Sequence, residues 1–105
     1  MHSNLICMVC KNNLYIIECK VFSAKQINGK RITDTIYKIS SIRHSLGLKA
    51  TAMVVILSPF GKSAGRKEMI QDTTAIAEVK KVFSIDDFKN KDSFINEIKT
   101  IVNYG

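Results

Sequence analysis

Tryptophan is missing from this sequence, proline occurs once and glycine five times in 105 residues. That scarcity excludes collagen-like and linker-like chains, which need dense or periodic glycine and proline. The cysteines number three, an odd count that argues against a disulfide framework and for a reducing, cytoplasmic setting. No apolar run approaches the roughly 20 residues that cross a bilayer, so no membrane span is expected. The run at residues 52–57, unsurpassed in length, suits a buried strand. Residues 1–10 lack the charged leader and cleavage site of a secretory signal.

What is present is an apolar fraction of 46% and a charged fraction of 24%, ordinary for a globular chain and too apolar for disorder. The length suits a single domain over residues 1–105. A domain of this size buries roughly two-thirds of its unfolded surface, so support from a partner subunit is plausible on size alone. Sixteen Lys and Arg against nine Asp and Glu give a formal charge of +7. Such a balance favours a polyanionic partner such as nucleic acid, or an acidic membrane surface, with a solvated basic surface the equal alternative from charge alone. They are spread from Lys11 to Lys99, with one local group at Lys20, Lys25, Lys30 and Arg31.

Strand and helix signals alternate. Residues 4–11 are apolar and β-tolerant, and Asn12-Asn13 accepts left-handed backbone angles. Leu-Tyr-Ile-Ile-Glu-Cys-Lys-Val follows, so a hairpin is predicted. Residues 22–31 are polar and read as a loop. From Ile32 the apolar residues Ile32, Ile36, Ile39, Ile42 and Leu46 step by four, three, three and four, one stripe of a helix. Thr33 or Asp34 would cap its start, Gly47 would stop it, and Leu48 would supply the apolar contact of a glycine cap. The β-branched run within residues 50–58 predicts a central strand buried on both faces, ended by Pro59. A glycine-bearing loop leads to a helix over 66–77, then a short strand over 79–83. Ser84 and Asp87 have the spacing of a capping pair, and a last helix from about Asp92 turns Phe94, Ile95, Ile98, Ile101 and Val102 inward. The order β-β-α-β-α-β-α predicts an α/β mixed sheet with helices packed against it.

Glu18-Cys19-Lys20 is the pattern with chemistry in it. Strand side chains alternate, so Glu18 and Lys20 share one face while Ile17 and Cys19 take the other. A carboxylate and an ammonium side by side on a rigid strand suit metal-dependent phosphodiester hydrolysis. The acid holds a hard divalent cation, and the lysine orients water and offsets developing negative charge. The plain alternative is an exposed salt-bridge pair. Asp34, the nearest later acid, would approach the sheet end if residues 22–31 fold back, or would simply complement a helix dipole. Cys7 and Cys10 form a Cys-x-x-Cys pair, but three residues apart on a strand they face opposite ways, and neither Cys19 nor His2 completes a site. They read as buried free thiols. His44 reads as an exposed residue beside Arg43. Gly61-Lys62-Ser63 is similar to the end of a phosphate-binding loop, but Leu57 stands where the first glycine belongs. Arg66 and Lys67 open a helix, as backbone contacts or as solvated charge.

The strand, the Asn-Asn turn, Leu-Tyr-Ile-Ile-Glu-Cys-Lys and a helix with Ile36-Tyr37-Lys38-Ile39, Ile42-Arg43 and Leu46-Gly47 together resemble a known family. It is the nuclease domain of CRISPR-associated proteins that join a cyclic-oligoadenylate-sensing CARF domain to a PD-(D/E)XK nuclease domain. The likeness runs from Asn4 to the last helix. It is specific at Glu18-Cys19-Lys20, moderate at Tyr37-Lys38 and Leu46-Gly47, and only one of element order beyond Ser58. It implies a restriction-endonuclease-like fold, a β-hairpin then α-β-α-β-α, and in active relatives Mg²⁺- or Mn²⁺-dependent cleavage of DNA or RNA. Glu18 would be the metal ligand and Lys20 the catalytic lysine. Tyr37 and Lys38 would flank the site. The backbone of a nucleic acid would meet Lys25, Lys30, Arg31, Lys38 and Arg43.

The departures are equally specific. The family's first hairpin strand reads Asn-Glu-x-Asp, whereas no acid precedes Glu18 here, and aligning Asn4 puts Leu5 and Cys7 at the two acidic positions. Cysteine is a poor magnesium ligand. Leu48 replaces the second glycine after the helix, and the helix and strand that precede the hairpin in relatives have no counterpart, nor has the sensor domain. The expectation is a truncated, degenerate nuclease domain with impaired hydrolysis. The alternative is a non-catalytic nucleic-acid-binding or self-associating module of the same fold. In either case the open hairpin edge predicts a homodimer.

Overall fold

Apolar and β-branched residues on both sides of a tight turn fold back on each other as β1 (His2–Cys10) and β2 (Asn13–Val21), paired antiparallel from Cys10 opposite Asn13 to His2 opposite Val21. The computed structural model describes residues 2–23, 25, 27–47, 50–58 and 64–104. Lys11 and Asn12 take the left-handed angles, φ 51° and 67°, that match the strand twist in a two-residue turn. The turn thus sits one residue earlier than Asn12-Asn13, because Asn13 closes the ladder. That moves the pairing by two residues and sets Leu5, rather than Cys7, directly opposite Glu18.

β3 (Thr51–Ile56) runs parallel to β2 on one side and to β4 (Lys81–Ser84) on the other, giving the order β1-β2-β3-β4. The central place of β3 explains its unbroken apolar run: Ala52, Met53, Val54 and Ile56 are all buried. Two parallel steps need crossovers, and α1 (Gly29–Ser45) and α2 (Ala64–Ile76) supply them. Ile32, Ile36 and Ile39 of α1 and Ile70 of α2 pack on Ile16, Ala52, Val54 and Ile56, the face that also carries Glu18 and Lys20. On the opposite face, α3 (Lys91–Tyr104) lays Phe94, Ile98, Ile101 and Val102 over Tyr15, Met53 and Phe83. The Tyr15 hydroxyl donates to the Val102 carbonyl at 3.2 Å. The order and mixed sheet are those of an α/β restriction-endonuclease-like domain.

α1 starts three residues before Ile32. Asn28, not Thr33 or Asp34, is its cap, the side-chain oxygen accepting from the Arg31 N–H at 2.8 Å. The Thr33 hydroxyl instead bonds the Lys30 carbonyl within the helix. Lys30 and Arg31 therefore belong to the first turn of α1 rather than to a loop. Gly47, at φ +85°, follows the last turn as expected. The contact assigned to Leu48, the stop at Pro59 and Gly61-Lys62-Ser63 lie outside the described residues. Asp87 accepts from the Ser84 N–H at 2.7 Å, so the capping pair exists, but it caps a single 3₁₀ turn (Ile85–Phe88) ahead of α3.

Ile36 is fully buried between α1 and the sheet. Ile36→Ala is expected to cost about 3 kcal/mol through lost burial and a cavity, and Asn28→Ala about 1 kcal/mol through the lost cap. Urea unfolding at unchanged m-value checks both.

Candidate functional site

Because β2, β3 and β4 run parallel, their carboxyl ends lie together, and α1 starts at that same end, where α/β folds place their ligands. The corner is firmly tied. The Leu57 N–H donates to the Lys20 carbonyl at 2.8 Å, extending the β2–β3 ladder. The Ser58 hydroxyl accepts from the Phe22 N–H at 3.0 Å and donates to the Phe22 carbonyl at 2.8 Å. The chain leaving β2 is thereby clamped to β3 before it enters α1.

Glu18 and Lys20 project from this end toward α1. Glu18 is 1% exposed and Lys20 9%, so the pair is no surface salt bridge. Lys20 Nζ lies 4.0 Å from Glu18 Oε1. Lys38, in the third turn of α1, brings its Nζ to 3.4 Å from the same oxygen. A buried carboxylate is tolerated only with such partners. The Cys19 thiol, on the other face of β2, is pushed above its ordinary pKa by burial and then by the Glu18 charge.

A cavity of about 430 Å³ opens beside the pair. Lys20 and Phe22 form its β2 side, and Asn28, Lys30, Arg31, Asp34, Thr35 and Lys38 form its α1 side. Four of these side chains are cationic and one is acidic, so the wall is net positive. The first turn of α1 carries no acid, and its free N–H groups add to the positive field. Asp34 sits in the second turn, exposed, 3.7 Å from Lys30. It reaches the cavity wall, neither capping the helix nor joining Glu18.

The structure brings Glu18, Lys20, Lys30, Arg31 and Lys38 together. Lys25 is exposed in the β2–α1 connection, off the cavity wall. Arg43 lies at the far end of α1, its Nε donating to the Ala50 carbonyl at 2.7 Å and its guanidinium 3.3 Å from Glu78. Tyr37 and His44 are exposed and line no part of the cavity. Arg66 is half-buried and Lys67 exposed at the start of α2. All three cysteines are free, and Cys7 and Cys10 face opposite ways as expected. They are not buried thiols, however: Cys7 is exposed and Cys10 and Cys19 are half-buried. Sequence reasoning passed over Asn28 and Ser58. Asn28, a strong cap residue just before a glycine, was the available signal for the first, and nothing in the sequence pointed to the second.

A hard divalent cation takes about six oxygen ligands. Among the described residues no group of three His, Cys, Asp or Glu side chains is placed to hold a metal. Glu18 contributes one carboxylate, flanked by Leu5 on β1 and Val54 on β3. The described residues do not by themselves fit such an ion.

A mixed sheet that opens with a hairpin, crossover helices on one face and a Glu-x-Lys pair at a strand end define a nuclease-like α/β domain. The chain belongs to the family described as Card1-like, endonuclease domain, whose sequence model matches residues 3–87. No curated protein and no solved structure matches it. Among the described residues, no helix is long and apolar enough to cross a membrane.

Lys20→Met leaves the buried Glu18 with the half-exposed Lys38 as its ammonium partner from this pair, and is expected to cost about 3 kcal/mol. Adding Glu18→Leu is expected to restore most of that loss, since an apolar pair needs no compensation. Urea unfolding of the single and double variants tests this.

Proposed function

We propose that this domain engages the phosphate backbone of a nucleic acid at the cavity between the end of β2 and the start of α1, with hydrolysis impaired. The four cationic side chains that line this cavity carry this reading. Phosphate contacts dominate nucleic-acid affinity and demand clustered Lys and Arg rather than dispersed charge. Lys30 and Arg31 stand in the first turn of α1 beside its first N–H groups, Lys20 and Lys38 flank Glu18, and Lys25 adds an exposed charge in the connection between β2 and α1. Arg43, twelve residues further along α1 and hence about 18 Å away, serves the fold instead.

Family membership supports a catalytic ancestry for Glu18 and Lys20. Glu18 keeps the place of a carboxylate suited to Mg²⁺ or Mn²⁺, and Lys20 that of a water-orienting lysine. The position across the hairpin from Glu18, where a second acid would share its face, holds Leu5. The apolar residue at that position supports the reading of impaired hydrolysis. The two apolar clusters share one sheet, so the chain functions as one nuclease-like domain, and its free thiols suit a cytoplasmic setting.

Fluorescence anisotropy with labelled single-stranded RNA, single-stranded DNA and duplex tests the interface. Affinity is expected to fall steeply with salt, and Lys30→Ala with Arg31→Ala to weaken it about tenfold and flatten the salt slope. Binding indifferent to salt and to both substitutions overturns the interface. Cleavage with Mg²⁺ or Mn²⁺ that disappears in Glu18→Ala overturns the impairment.

Self-association through β1 belongs to the same reading. Leu5, Ile6, Met8 and Val9 are exposed, Val9 to 72%, and residues 4–10 contain no charge and no proline to discourage edge pairing. A second copy pairing antiparallel across a two-fold axis would join the two sheets into one. Sedimentation should show a dimer that dissociates in Ile6→Lys with Val9→Lys. A monomer at every concentration refutes it.

A further inference from the structure

Resting on the nucleic-acid reading above, we infer that the Glu18 centre holds a phosphate group without a divalent cation, Lys38 standing where a cation would stand. The cavity wall is the first observation. Lys20 and Lys38 line it, whereas Glu18 does not; the carboxylate lies behind them, 1% exposed. An incoming ligand therefore meets ammonium groups, and the acid serves to hold them.

Charge points the same way. Glu18 Oε1 faces Lys38 Nζ at 3.4 Å and Lys20 Nζ at 4.0 Å, two positive charges against one negative. A divalent ion seeking that oxygen would be repelled by both ammoniums at close range. It would also lack a second carboxylate from the flanking strands, where Leu5 and Val54 stand. A tetrahedral oxyanion has the opposite experience. It gains Lys20, Lys38 and Arg31 together with the N-terminal field of α1, against the single wall acid Asp34. The volume, about 430 Å³, accommodates a phosphate and the sugar attached to it.

Two-dimensional NMR of the ¹⁵N-labelled protein in EDTA, titrated with inorganic phosphate, reads the site directly. The amides of Lys20, Arg31, Thr35 and Lys38 are expected to shift, with the same affinity when Mg²⁺ replaces EDTA at matched ionic strength. Mn²⁺ alone should not broaden the amides around Glu18. Lys38→Met is expected to weaken phosphate about tenfold and to admit Mn²⁺ broadening at Glu18. Asp34→Asn, a surface change that leaves the ion-pair centre intact, should tighten phosphate about threefold. Phosphate binding that requires Mg²⁺, Mn²⁺ broadening in the unaltered protein, unchanged phosphate affinity in Lys38→Met, or weaker binding in Asp34→Asn each overturns the inference. Shifts with inorganic phosphate but none with a single-stranded oligonucleotide would uphold the phosphate site and reject the nucleic-acid reading.

Discussion

A carboxylate removed from water beside two ammonium groups organises the end of the sheet where the parallel strands finish. Glu18 would be costly to bury alone, and it keeps company with Lys20 from its own strand and Lys38 from α1. That shared contact relates a strand to a helix twenty residues away. It draws α1 to the sheet end, and with α1 come Lys30, Arg31 and the helix N-terminus. The clamp of Ser58 on Phe22 fixes the other wall. The basic cavity is the space left between these two constraints.

The pairing across the hairpin gives the family relationship a physical reading. β1 and β2 form a full ladder, from Cys10 opposite Asn13 to His2 opposite Val21. At the rung that matters, Glu18 faces Leu5. The hairpin thus sets an apolar side chain on the β1 flank of Glu18. The identity of a residue at such a rung affects charge far more than shape, since strand pairing depends on backbone groups and the fold is held by clusters on β2, β3 and β4.

How much was legible beforehand follows from the range of each interaction. The alternation of β2, the unbroken run of β3 and the isoleucine stripe of α1 are local patterns, and each of these elements exists with the type its pattern predicts. Glu18 and Lys20 on one face followed from strand geometry alone. The start of α1 was misplaced because Asn28-Gly29 serves a turn as readily as a cap, and only packing of the first turn decides between them. The hairpin turn was misplaced by one residue because Lys11 offers no compositional sign of left-handed angles. Lys38 was expected near the site only through the family likeness, and its contact with Glu18 needs the tertiary fold. The cavity and the tied-down Arg43 likewise depend on distant partners.

The hydroxyl of Tyr15 bonded to the Val102 carbonyl joins the first hairpin to the last helix. The family match stops at residue 87, yet α3 from Lys91 onward shields Tyr15, Met53 and Phe83 from water. The unit defined by kinship and the unit that folds are thus different lengths of chain. Any shortened version cut at the kinship boundary would bare an aromatic and methionine surface across one whole side of the sheet, and stickiness rather than lost chemistry would be its first symptom.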